Sequence, residues 1–225
     1  DCDLEARVSA SVLECMYNTG QSCDAPTRLL VEASCYEEVL GIAQTAAESI
    51  EVGNPAQEGD HIGPLFDQLQ YDRVQAMIQV GLVEGATLLA GGLVKASGFE
   101  TGCFAKPTIF ADVDNKMRIA QEEIFGPVLS VMKIQDMDDA LDLIRKQTTG
   151  NGACLFTQNM YLAEKFMNEA DVGMVGINVG VCAPHPYMPF GGIKDSLVGN
   201  NKVQGKDGFD FFTQNKVSTI SVEPP

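Results

Sequence analysis

The hydrophobic pattern of the chain changes period repeatedly, and this alternation most limits what the chain can fold into. In "LEARVSASVLECMY" (4–17), Leu4, Val8, Val12 and the Cys15/Met16 pair fall at helical spacing. "RLLVEA" (28–33) is a short apolar strand candidate, and "YEEVLGIAQTAAESI" (36–50) returns to the helical period. A further helix, "QYDRVQAMIQVGLVEG" (70–85), stops near Gly85 and leads into the strand-like "ATLLAGG" (86–92). "PTIFADV" (107–113), "VLSVMKI" (128–134), "ACLFT" (153–157) and "VGMVGINV" (172–179) read as strands. "MDDALDLIRKQ" (137–147) and "YLAEKFMNEA" (161–170) read as the helices between the last of these. The closing "FFTQNKVSTISV" (211–222) alternates polar and apolar residues and predicts a long strand. Such an order predicts an α/β fold of three layers, a largely parallel sheet flanked by helices. Ligands in sheets of this kind gather beyond the carboxyl ends of the strands. "GNPAQEGDHIGP" (53–64) and "CAPHPYMPFGG" (182–192) read as surface loops, and no internal repeat or low-complexity linker divides the chain.

Several function classes are disfavoured. No apolar run approaches the ~18 residues that a membrane span needs, so a soluble protein without a membrane partner is expected. The first residues, "DCDLEARVSA", have neither the basic start nor the apolar core of a secretory signal. The formal charge of −16, from 31 acidic and 15 basic residues, argues against nucleic acid, whose phosphates reward clustered Lys and Arg. The seven cysteines are odd in number, irregular in spacing and lack a C-x-x-C pair, which fits neither a disulfide framework nor a zinc site. Reduced thiols in the cytoplasm, with no bound metal, are the expectation.

One of those thiols, Cys23, lies in "YNTGQSCDAPTRLLVE" (17–32), on a Gly-Gln-Ser-Cys turn between a helix and a strand. Backbone N–H groups on such a turn can converge on one point and stabilise a developing oxyanion. A thiol reacts as the thiolate and needs a lowered pKa or an adjacent base. Cysteine is also among the most buried residue types, so on these residues alone Cys23 is either a nucleophile or a small core side chain.

The motifs taken in order are more specific. "NTGQSC" (18–23) with "APTRLLV" (25–31) is followed by "GNP" (53–55), "IGP" (62–64), "EGATLLAGG" (84–92), "PTIFADV" (107–113), "EEIFGPVLSV" (122–131) and "PFGGIKDS" (189–196). Over essentially its whole length the chain resembles the aldehyde dehydrogenase superfamily. The resemblance implies a fold of the aldehyde dehydrogenase catalytic-domain type. It also implies that Cys23 is the nucleophile, attacking an aldehyde to give a thiohemiacetal whose hydride passes to NAD or NADP. The resulting thioester would be released by water or by coenzyme A, and the Cys23 N–H would form part of the oxyanion hole. Glu123 and Phe125 match the family's cofactor-contacting pair: a carboxylate can accept from ribose hydroxyls, and a ring can bracket the nicotinamide. Without the resemblance, Glu122 and Glu123 read as solvated and Phe125 as core. Asn178 matches an asparagine near the active site with a positioning hydrogen bond. Phe190, with Gly191 and Gly192, matches a loop near the substrate entrance. Lys194 in that loop tempts as a base, but an ordinary solvated lysine is the expected reading.

Compared with the family, the chain corresponds to about the second half. The expected division is 1–18 as the end of a cofactor-binding domain, 19–208 as the catalytic domain and 209–225 as an oligomerisation strand. The "ELGGK" segment with the general-base glutamate would lie just before Asp1, the rest of the cofactor-binding domain is mostly absent, and no G-x-G-x-x-G replaces it. Little or no turnover is therefore expected of the 225 residues alone. Leu197 stands where the family usually has glycine. The tail, with "GNGACLFT" (150–157) and "VGMVGINV", is similar to the methylmalonate-semialdehyde dehydrogenase branch, which uses coenzyme A, whereas "NTGQSCDAPTR" is more like the hydrolytic branch. The hydrolytic route is favoured. The final strand resembles the one that joins family members into homo-oligomers. Two other classes remain open: a non-catalytic assembly or binding domain with the same fold, and a thiol redox protein. For the latter, the nearest possible partners of Cys23 in sequence are Cys15 and Cys35.

Overall fold

The structure is a computed structural model describing residues 1–223. In chain order its elements are helix α1 (Leu4–Met16), strand β1 (Arg28–Glu32), helix α2 (Tyr36–Ser49), strands β2 (Glu51–Val52) and β3 (His61–Ile62), and helix α3 (Gln68–Glu84). Strands β4 (Thr87–Ala90) and β5 (Thr108–Ala111), helix α4 (Arg118–Gln121), strand β6 (Val128–Ile134) and helix α5 (Met137–Arg145) follow. The chain continues through β7 (Thr149–Gly150), β8 (Gly152–Leu155), α6 (Met160–Glu169), β9 (Met174–Ile177), β10 (Ile193–Lys194) and α7 (Gly205–Phe212).

Local chemistry explains most helix boundaries. The carboxylates of Asp3, Asp67 and Asp136 accept from the backbone N–H groups of Ala6, Gln70 and Asp139, and Asn159 caps α6 in the same way. Gly85 ends α3 in the left-handed region at φ 93°, where a side chain would be strained.

The main sheet has the strand order β1-β6-β5-β4. β1, β6 and β5 are parallel and β4 is antiparallel at the edge. Two apolar cores cover its faces. On one, Val8, Val12 and Met16 of α1 and Val39 and Ala43 of α2 pack with Ile109, Leu129 and Val131. On the other, Val74 and Ile78 of α3 and Ile119 of α4 pack with Phe110, Val128 and Met132. This is the expected helix–sheet–helix arrangement. β8 and β9 pair parallel as a separate two-stranded sheet, backed by a smaller cluster around Leu141, Ile144 and Phe166. Among the described residues no helix is long and apolar enough to cross a membrane.

At the carboxyl end, Phe211 and Phe212 close α7, and residues 213–223 are exposed, outside regular structure and unpaired with any described strand of this chain. At the amino end, α1 shares a core with α2 and the sheet.

Candidate active site

The loop carrying Cys23 precedes β1, and the turn carrying Glu123 and Phe125 precedes β6. These strands are parallel neighbours, with Arg28 opposite Ser130, so both loops emerge at the same end of the sheet. That is the amino end, not the carboxyl end that the general rule for α/β sheets predicts. The reason is local: the thiol sits on the junction leading into its strand, not on the loop leaving it.

After α1 the chain makes a short 3₁₀ turn over Tyr17–Gly20, with Asn18, Thr19 and Gly20 at φ 49°, 58° and 71°. Gly20 is required there twice over. Its φ is left-handed, and a Cβ would lie 2.1 Å from the Gly126 carbonyl oxygen. The two sequence motifs therefore touch backbone to backbone. Gly126 is equally confined on its other side, since a Cβ there would meet Val74 Cγ2 of α3 at 2.5 Å.

Polar bonds hold both motifs. The Thr19 hydroxyl donates to Gly63 O at 3.0 Å, and Gln21 Oε1 accepts from Phe66 N at 2.9 Å. Gln70 Nε2 donates to Ile124 O and Phe125 O at 3.0 and 2.7 Å, and Arg73 donates to Glu123 O at 2.7 Å. Phe125 has a positive φ of 55°, a conformation that costs about 1–3 kcal/mol and that these bonds to α3 maintain. Asn151, just before β8, donates to Cys23 O at 2.7 Å.

Cys23, Glu123, Phe125 and Phe190 line one cavity of about 770 Å³. Cys23 is the one exposed cysteine. Its thiol pKa is nevertheless raised: partial burial on the cavity wall contributes most, then the charge of Asp24, with a smaller push from Glu123. The Cys23 backbone N–H works in the opposite direction, favouring negative charge on that sulfur. The two neighbouring glutamates differ. Glu122 is engaged by Arg118 at 2.6 and 3.1 Å. Glu123 is exposed, and its carboxylate has no hydrogen-bond partner among the described residues. A free carboxylate beside a partly exposed aromatic ring suits a ribose and a nicotinamide, so these residues fit a nicotinamide dinucleotide.

Asn178 and Lys194 lie in tightly bonded surroundings. Asn178 does not line the cavity. It sits just after β9, where its side chain accepts from Thr157 N and donates to Thr157 O, both at 2.9 Å, tying the carboxyl ends of β8 and β9. Asn151, at the other end of β8, is the asparagine that reaches Cys23; its place between two glycines in "TGNGA" was the available signal. Lys194 is neither a base nor a freely solvated lysine. It donates to the carbonyls of Ile144, Arg145 and Gln147 at 3.1–3.3 Å, capping α5, and pairs with Asp171 at 2.8 Å. Phe190 N-terminal to the glycine pair accepts at its carbonyl from Val203 N at 3.0 Å.

The cavity thus joins an accessible thiol on a glycine-bearing turn to a Glu-x-Phe turn packed against it. The aldehyde dehydrogenase family model matches residues 1–218, and the chain belongs to that family. It is 37% identical over 219 residues to the malonate-semialdehyde dehydrogenase of Listeria monocytogenes, covering 97% of this chain and 44% of that protein. Among solved structures it matches the C291A mutant of aldehyde dehydrogenase C from Pseudomonas syringae, complexed with NAD+ and octanal. There the TM-score is 0.87 and the identity 39%, over 93% of this chain and 42% of that one. The methylmalonate-semialdehyde dehydrogenase of Oceanimonas doudoroffii matches with TM-score 0.92 and 32% identity, over 95% of this chain and 44% of that one. The chain thus spans less than half the length of these relatives.

Proposed function

We propose that this chain carries the catalytic thiol of an NAD-dependent aldehyde dehydrogenase, with Cys23 as nucleophile and Glu123 and Phe125 as the cofactor-contacting pair. The observation that carries this reading is the Gly20–Gly126 contact, which delivers the thiol and the Glu-x-Phe turn to one cavity. Cys23 Sγ adds to the aldehyde carbon, and the Cys23 N–H stabilises the oxygen as it gains charge. Asn151, holding the Cys23 carbonyl, fixes the peptide that follows the thiol. When bound, a nicotinamide dinucleotide supplies the hydride acceptor that converts the thiohemiacetal to a thioester. The Glu123 carboxylate orients its ribose and Phe125 borders its ring. The NAD-bound relatives support NAD over NADP.

The Cys23 thioester is then open to water, the route favoured by the residues around Cys23, or to coenzyme A. The semialdehyde relatives support a short semialdehyde as substrate. The 225 residues alone, which cover less than half the length of these relatives, turn over aldehyde and NAD slowly or not at all. The exposed segment 213–223 is the candidate contact for a second subunit. Iodoacetamide labelling tests the central claim. Cys23, the exposed thiol, should alkylate despite its raised pKa, and octanal should slow its alkylation alone. Labelling of Cys23 that is indifferent to octanal would remove the nucleophile from the proposal.

A further inference from the structure

We propose that Cys154 and Cys182 form a reversible dithiol–disulfide site on the wall of the cavity, with a peroxide as oxidant. Both residues line the cavity and both are free thiols. Far apart in sequence, they meet because β8 and β9 pair in a register that sets Cys154 opposite Gly176. Gly152 lies on the same face of the ladder, two residues before Cys154. These two glycines leave a hollow that the sulfurs occupy. A Cβ on Gly152 would stand 2.2 Å from Cys182 Sγ, and one on Gly176 would stand 2.8 Å from Cys154 Sγ and 3.3 Å from Cys182 Cβ. Cys182 belongs to the irregular segment between β9 and β10 and folds back over this glycine floor.

Interaction with Cys154 lowers the pKa of Cys182, and interaction with Cys182, together with burial, raises that of Cys154. Glu14, pressed against Gly180, and Asp24 face the pair with negative charge and oppose ionisation. Cys182 is therefore the sulfur that attacks and Cys154 the one that resolves. The Cys182 thiolate attacks a peroxide oxygen, the O–O bond breaks, and the departing hydroxide takes up the thiol proton as water. Cys154 sulfur then displaces the sulfenic hydroxyl, which leaves with the Cys154 proton as a second water. Overall two thiols lose two protons and two electrons, and hydrogen peroxide takes them up to become two waters. The new bond ties β8 to the segment carrying Phe190, and it forms whether or not Cys23 handles aldehydes.

The test treats the full chain with one equivalent of hydrogen peroxide, alkylates the remaining thiols and maps peptides by mass. The expected product is a Cys154–Cys182 linked peptide, about 2 Da lighter than the two thiol peptides together and restored by dithiothreitol. Cys23→Ser should form the same link, which separates this site from the proposed catalysis. Cys182→Ser and, as a second variant, Cys154→Ala should abolish it. Phenylarsine oxide, which bridges paired thiols, should protect both cysteines of the unmodified chain from alkylation without requiring any substitution. A link from either residue to Cys23, a Cys2–Cys35 link in its place, or separate over-oxidation of the two sulfurs overturns the proposal.

Discussion

The two walls of the cavity are held by different physics. The wall bearing Cys23 and Glu123 hangs from the four-stranded sheet, where Ile109, Phe110, Leu129 and Val131 are wholly buried between helices. The wall bearing Phe190 and Cys182 hangs from short paired strands and loops. Over β8 no residue is fully buried, and α7 buries none. Hydrogen bonds carry much of the burden there. Lys202 Nζ donates to Gly173 O and Gly192 O at 3.2 and 3.3 Å and also to Gly191 O, while Lys194 caps α5 and Asn178 clasps Thr157. Apolar burial is non-directional and cooperative, whereas these ties are few and each depends on one side chain. The proposed nucleophile thus stands on the wall with the fully buried core, and Phe190 on the one with little burial.

Substitutions can break this contrast in graded steps. The largest loss is expected for Phe110→Ala, which empties a fully buried site in the second core and should cost about 3–5 kcal/mol by denaturant unfolding. Gly20→Ala comes next. A methyl in the left-handed region, driven into the Gly126 carbonyl, should cost roughly 2–3 kcal/mol and slow Cys23 alkylation by displacing the loop. On the other wall, Lys202→Met leaves three carbonyls without their donor. It should cost about 1–3 kcal/mol, with faster amide exchange confined to the segments around 173 and 191–203. Equal exchange across both walls in that variant would contradict the division.

Smaller effects sharpen the electrostatics of the rigid wall. Since Cys23 has a raised pKa, its alkylation rate should keep climbing with pH beyond the range of an ordinary thiol. Asp24→Asn removes a negative neighbour, lowers that pKa and should speed alkylation a few-fold near neutral pH; an unchanged or slower rate counts against Asp24 as a cause. The least effect is expected for Phe212→Ala on exposed α7, within about 0.5 kcal/mol.

Much of the first wall was legible in the sequence because its signals are local. Gly85 announces a stop, and the strand patterns at 107–113 and 128–134 reflect burial on both faces. Cys23 and Glu123 were found through motif order, and Gly20 and Gly126 show why that order has a spatial meaning. The second wall was less legible because its ties join residues distant in sequence. Nothing local in "GGIKDS" says that Lys194 will reach the end of α5, or that Lys202 will collect the Gly191 and Gly192 carbonyls. The tail is hard to read for a related reason: a period of two describes side chains, but a strand also needs a neighbour, and β pairing is not written in the segment itself.

The contact between Gly20 and Gly126 also works as a ruler for descent with change. The long stretch between these glycines has two obligations to the site: to bring the second back against the first, and to supply the ties from Gly63, Phe66, Gln70 and Arg73. Insertions in the loop at 91–106 touch neither obligation, whereas a single added methyl at either glycine is felt at once. Variation in this lineage should therefore collect in length between the motifs and vanish in volume at the two points where they touch.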